Sequence, residues 1–204
     1  MSKYDASGAQ GECQPGSDNQ VLKNLLDIAS PEDMDDAELT LLNKLYEDVL
    51  VEHLPTCPIT VAHLKSWHKR WLGNVYEWAG EERSVNMSKD GFQFAVAGQI
   101  PRLLQQFESQ YLARFTPCTN LDDERLIAAI ATVHVEFILI HPFREGNGRL
   151  SRLLADVMAV QAGYEPLDYS SWDENKPQYV AAIHAGVGCD YGPMMVWVER
   201  AFNT

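Results

Sequence analysis

HPFREGNGRLSR, residues 141–152, decides the fold, because it separates two runs of helical period and interrupts them with two glycines. Upstream, Leu126, Ile127, Ile130, Val133, His134, Phe137 and Ile138 form an apolar stripe so broad that a helix over about 121–140 must be central. Downstream, Leu150, Leu153, Leu154, Val157 and Met158 mark a second helix, ending near Gly163, where glycine accepts the left-handed cap conformation. Two antiparallel helices joined by a tight loop follow. Within the loop, Gly146 and Gly148 let the backbone turn sharply and expose consecutive N–H groups as an anion nest, to which Asn147 also belongs. The helix beginning near Gly148 aims its positive N-terminus at the same place, and Arg149 and Arg152, on its first turn, add charge suited to phosphate. Glu145 would repel that phosphate unless a hard cation lay between them; Mg2+, which takes one or two carboxylates plus substrate phosphates, resolves the conflict. His141 supplies an imidazole able to take a proton from an attacking hydroxyl near neutral pH.

Working outward, the architecture reads as mostly α. Ser30-Pro31 is an N-cap followed by proline at the first helical position, and the acidic run Glu32–Asp36 is a solvated helix start. This helix should run to about Val51, with Leu39, Leu42, Leu45, Tyr46 and Val49 as its apolar stripe. After the Pro55–Pro58 break, Thr60 caps a helix on which Leu64, Trp67, His68, Trp71 and Leu72 share a face. Residues 83–95 lack helical period but hold Asp90-Gly91 between β-prone runs, which predicts a small hairpin. A helix over about 98–115 buries Ile100, Leu103, Leu104, Phe107 and Tyr111. Tyr179–Ile183 and Met194–Val198 belong to closing helices, and Ser170–Asn175 is expected to be a loop. Residues 1–20, rich in Gly, Ser, Gln and Asp, read as a flexible tail, leaving 21–204 as one domain.

The formal charge of −13 excludes a surface built to neutralise many phosphates, so nucleic acid is not an expected partner. No apolar run reaches the roughly 18 residues needed to span a bilayer, and no secretory pattern opens the sequence, which leaves the cytoplasm as the simplest location. Cys13, Cys57, Cys118 and Cys189 are scattered, so free thiols are expected. His134, inside the apolar stripe, reads as a core histidine, and His63, His68 and His184 lack ligand-spaced partners. Trp67, Trp71, Tyr76 and Trp78 read as core packing rather than a ligand cage.

The loop matches HxFx(D/E)GNGRxxR, the signature of the Fic family, at His141, Phe143, Glu145, Gly146, Asn147, Gly148, Arg149 and Arg152. The resemblance extends over about 22–202, with Trp78-Ala79-Gly80, Arg83 and the following hairpin resembling the family's flap. It implies a helical domain that binds Mg-ATP and transfers AMP to a Tyr, Ser or Thr hydroxyl of a target protein. It implies His141 as general base, Glu145 as Mg2+ ligand, and Gly146, Asn147, Gly148, Arg149 and Arg152 as nucleotide-binding residues, with Phe143 anchoring the loop. The flap, Asn86, Met87, Ser88, Lys89, Asp90, Gly91, Phe92, Gln93 and Phe94, would align the target as an added strand. Gly148 favours AMP transfer, since the related Doc proteins carry lysine there and resemble kinases. Relatives that use other nucleotides, AMP removal, and a non-catalytic peptide-binding module are the competing readings. Many relatives are restrained by a helix with (S/T)xxxE(G/N), whose glutamate meets the second motif arginine. The one match here, Ser170–Asn175, reads as a coincidence, so the resemblance points to a toxin-like protein restrained by a separate small antitoxin.

Overall fold

A computed structural model describes residues 5–6 and 9–202. The helices are α1 (Pro31–Tyr46), α2 (Val61–Leu72), α3 (Ile100–Phe107), α4 (Ala113–Phe115), α5 (Asp123–Ile140), α6 (Asn147–Gln161), α7 (Ser170–Glu174), α8 (Lys176–Ala185) and α9 (Gly192–Phe202). Wider π turns at Glu47–Glu52 and Glu108–Leu112 continue α1 and join α3 to α4. Strands β1 (Asp5–Ala6), β2 (Met87–Lys89) and β3 (Phe92–Gln93) form an antiparallel sheet in that spatial order. The mostly α fold with a small hairpin is as expected.

Local chemistry accounts for the main elements. The Ser30 side chain accepts from Asp33 N at 3.3 Å ahead of Pro31. Thr60 and His63 form a reciprocal capping box at α2. Asp90 and Gly91 both take positive φ, 51° and 81°, which gives the hairpin a turn matching the strands' twist. The central helix α5 packs on α6 and α9 and buries its stripe nearly all round. No described helix is long and apolar enough to cross a membrane. The cysteines among the described residues are free.

Three expectations are corrected. Leu39 is exposed; the stripe that α1 buries is Met34, Glu38, Leu42 and Leu45, then Val49, a helical phase with a carboxylate inside it. Ser170–Glu174 is a helical turn, held by Trp172, whose buried indole donates to Trp197 O at 3.0 Å. Residues 1–4 and 7–8 of the predicted tail lie outside the described residues, as do 203–204, but residues 9–20 lie against the domain. Gln14 N donates to Val21 O, Ser17 is buried on Gln14 O and Val21 O, and Cys13 bridges Leu22. Small polar residues here satisfy one another's backbone locally, which composition does not register.

Buried titratable groups set the acid response. Burial pulls His134, bonded through Nε2 to the Tyr179 hydroxyl at 2.7 Å, down to about 3, and His68 down to about 4. Burial pushes Asp156 up to about 6. The two imidazoles bind protons in the unfolded chain below about pH 6.5 while staying neutral in the native one, so their contribution is lost as pH falls. Asp156 contributes the opposite slope between its unfolded value and about 6. With two imidazoles against one carboxyl, thermal scans should show a melting temperature falling from pH 7 to 4.5, and His134→Gln should flatten that fall by roughly 5 °C. An unchanged slope would contradict the burial argument for His134.

Candidate active site

The site sits where α5 stops and α6 begins. His141 is the C-cap of α5 and takes the left-handed conformation, φ 50° and ψ 60°, which turns the chain out of the helix. Its ring is buried, and Nδ1 lies 3.2 Å from Ile138 O. A carbonyl only accepts, so the proton belongs on Nδ1 and the lone pair on Nε2, the form a general base requires. The Phe94 ring stacks on this imidazole, centroids 3.8 Å apart at 19°.

Arg83, buried beneath the site, fixes the backbone around His141. Its guanidinium donates to His141 O at 2.7 Å, Val85 O at 2.6 Å, Ala95 O at 2.5 Å and Ile140 O at 3.3 Å. A cation thus satisfies the last carbonyls of α5 and ties both legs of the hairpin to them. Burial, then neighbouring Arg144, lowers Arg83 to about 10, still protonated at neutral pH. At the hairpin, Asn86 accepts from Ala97 N at 2.9 Å, Met87 is buried beside Val85, and Phe92 stacks on His184 at 4.1 Å. Its far edge is not bare: Asp5 pairs with Ser88 and Ala6 with Met87, while Gln10 O accepts from Arg144 Nε at 2.8 Å. Lys89 pairs with Phe92, and Ser88 with Gln93, across the hairpin.

The loop itself closes on side chains. Phe143 is buried and stacked on His68, centroids 4.0 Å apart. Asn147, fully buried, accepts from Phe143 N at 2.9 Å and donates to Phe143 O at 2.7 Å, so its amide holds the loop shut. Gly146 is the N-cap of α6 at φ 81°, and its N–H donates to Glu145 Oε1 at 2.9 Å. Gly148 has open space where a Cβ would be.

The two arginines are held by carboxylates. Arg149 lies over the Trp71 ring at 4.6 Å and donates through Nη2 to Glu38 at 2.6 Å, with Glu145 at 3.4 Å. Burial lowers its affinity for the proton, but Glu38 and Glu145 outweigh this and hold it above the ordinary guanidinium value. Glu38 also accepts from the Tyr76 hydroxyl at 2.8 Å, and its backbone carbonyl accepts from Trp71 Nε1. Arg152 makes a two-pronged pair with exposed Asp173, at 2.6 and 3.1 Å, across the face of Tyr169. Glu38, His68 and Asp173 are the site neighbours that pattern reading passed over as functional partners, while Arg83 was noted only as part of the flap resemblance. Of the three, Glu38 alone carried a usable signal, since it lies in phase with Met34 and Leu42.

A histidine with its lone pair on Nε2, set beside a glycine-turned helix N-terminus in a mostly helical frame, defines an enzyme domain of the helix–loop–helix type. Residues 58–159 match the model of the Fic/DOC family, and the chain belongs to that family. It is 27% identical over 188 residues to a Sinorhizobium fredii protein named "Probable protein adenylyltransferase y4lH", covering 92% of this chain and 93% of that one. It is 33% identical to the protein adenylyltransferase VbhT of Bartonella schoenbuchensis over 87% of this chain, which corresponds to 35% of that protein. Among solved structures, the N-terminal Fic domain of a VirB-translocated Bep effector protein from Bartonella quintana, with bound ADP, superposes with a TM-score of 0.72. That pair is 26% identical and covers 88% of this chain and 89% of the other.

Proposed function

We propose that the protein transfers AMP from ATP to a hydroxyl of another protein. The observation that carries this reading is the His141 ring, whose Nδ1 is committed to Ile138 O so that Nε2 can accept a proton. In the step envisaged, the target hydroxyl attacks the α-phosphorus and gives its proton to Nε2. The bond to the bridging oxygen breaks and pyrophosphate leaves. The α6 N-terminus, the backbone at Gly146 and Gly148, and the guanidinium groups of Arg149 and Arg152 supply the positive end of the site. Asn147 acts by holding the loop closed. Glu145, a carboxylate oriented by Gly146 N and flanked by Arg149, fits Mg2+ as a protein ligand, and the ion would neutralise phosphate charge.

The hairpin 86–94 serves as the target-docking flap, with Phe94 over the base and Asn86 tying down its root. Arg152 is met by Asp173 and not by Glu174 of the Ser170–Asn175 match. The reading therefore keeps a toxin-like cytoplasmic enzyme restrained by a small antitoxin that supplies a glutamate in trans. A pull-down from the native host that recovers no small companion would count against the antitoxin.

Incubation with Mg2+, a host lysate and ATP labelled at either the α- or γ-phosphate tests the chemistry. Protein-bound label should come from the α position only. Transfer of γ-label would overturn AMP transfer in favour of kinase-like orientation, and no transfer from either would reduce the domain to a binding module.

A further inference from the structure

Outside the motif, one buried imidazole touches the loop directly. His68 on α2 is fully buried and makes two polar contacts, each from a different nitrogen. Gly80 N donates to Nδ1 at 2.8 Å, so Nδ1 carries the lone pair and the proton sits on Nε2. Nε2 lies 3.1 Å from Glu145 O, and with that tautomer it is the donor. Both ends are anchored. Gly80 takes φ +84° in a turn packed so closely on α2 that a Cβ there would come within 2.8 Å of Lys69 Cβ. The ring is further held flat against Phe143.

The contact matters because of which peptide it grips. Glu145 C=O and Gly146 N–H belong to one planar unit and point in opposite directions, so fixing the carbonyl fixes the N–H. That N–H is the group that Glu145 Oε1 accepts from at 2.9 Å. A hydrogen bond from His68 is therefore transmitted across one peptide plane to the carboxylate.

We infer that His68 is a positioning residue that aims the Glu145–Gly146 peptide, and through it the Glu145 carboxylate, toward the metal and phosphate end of the site. This rests on the reading of Glu145 as a Mg2+ ligand. His68 touches neither substrate nor metal; it acts through the backbone, as groups behind a metal ligand do.

Two near-isosteric variants separate aiming from mere packing. His68→Gln places an amide N–H near Nε2 and keeps the donor to Glu145 O. His68→Asn keeps an acceptor for Gly80 N but puts nothing where Nε2 was. Both lose the ring stack and should melt at similar temperatures. The readout is the Mg2+ concentration that half-saturates AMPPNP binding, followed by calorimetry. It should rise about 10- to 100-fold in His68→Asn and stay within about 3-fold of the parent in His68→Gln. Equal Mg2+ dependence in the two variants, or a parental value in His68→Asn, overturns the inference. A parent protein that binds AMPPNP with no Mg2+ dependence instead overturns the reading of Glu145, and the inference with it. Nitrogen-15 NMR of the unmodified protein adds a check that needs no variant: Nε2 should be protonated and Nδ1 not, and the opposite tautomer overturns the proposal.

Discussion

His141→Ala should abolish transfer of α-label to protein, lowering kcat by about 10²–10⁴-fold while leaving AMPPNP affinity within a few-fold of the parent. In the proposed reaction the imidazole takes part in the step and not in holding the nucleotide, so the two readouts should separate. Its backbone role survives in part, because Arg83 Nε bonds the residue's carbonyl and Phe137 O accepts from its N–H whatever the side chain. Some stability should be lost with the buried ring and its stack on Phe94, whereas the left-handed backbone strain falls on histidine and alanine alike. Melting temperature therefore belongs beside the kinetics. Equal labelling by both proteins would remove His141 from the chemistry.

Gly146→Ala should be the most damaging single methyl in the loop. At φ 81° any Cβ is strained, and here it would come 2.7 Å from Trp71 Cζ3 and 3.1 Å from Cη2, atoms of a fully buried ring. Left-handed strain and overpacking together should cost roughly 2–5 kcal/mol, lowering the melting temperature by about 5–15 °C. AMPPNP affinity should fall at least ~10²-fold, because relief of the clash moves the peptide that starts α6. Gly148→Ala is the control. A Cβ there meets nothing within 4 Å and the position lies inside the helix, so stability should hold or rise by up to about 1 kcal/mol. Loss of affinity in Gly148→Ala without loss of stability would then report crowding against the phosphate. Parental stability in Gly146→Ala would show that the loop has slack that its contacts deny.

Much of the frame was readable in the sequence because it follows apolar period and turn chemistry. The stripe of α5, the proline-started α1, the Thr60 cap and the Asp90-Gly91 turn all obey local rules, and each lies where those rules put it. The motif located the loop for a related reason, since the chain must turn through a left-handed residue ahead of α6 and Gly146 takes that conformation at φ 81°, whereas Gly148, expected in the turn, lies inside the helix. What escaped depends on partners distant along the chain. Glu38 meets Arg149 across 111 positions, and His68 meets Glu145 across 77. A buried carboxylate in a helix of acidic residues looks like its solvated neighbours until its partner is known, so Leu39 took the place in the stripe that Glu38 fills. Asn147 was named nucleotide-binding by the resemblance alone, and the bonds of its amide to Phe143 N and O depend on a loop closure that no local rule announces. The Arg152–Asp173 pair needed a helical turn at Ser170–Glu174 that five residues with no cap do not announce.

On the docking role proposed for the hairpin, the short strand at Asp5–Ala6, lying along Ser88 and Met87, changes what a target polypeptide must achieve. A segment tethered to the same molecule competes at an effective concentration of roughly millimolar, whereas a cellular protein arrives far more dilute. Two rungs of backbone pairing cannot win that contest alone. Selectivity at this hairpin edge accordingly falls to contacts made elsewhere on the visitor, and only a protein that grips a wider area displaces the resident strand.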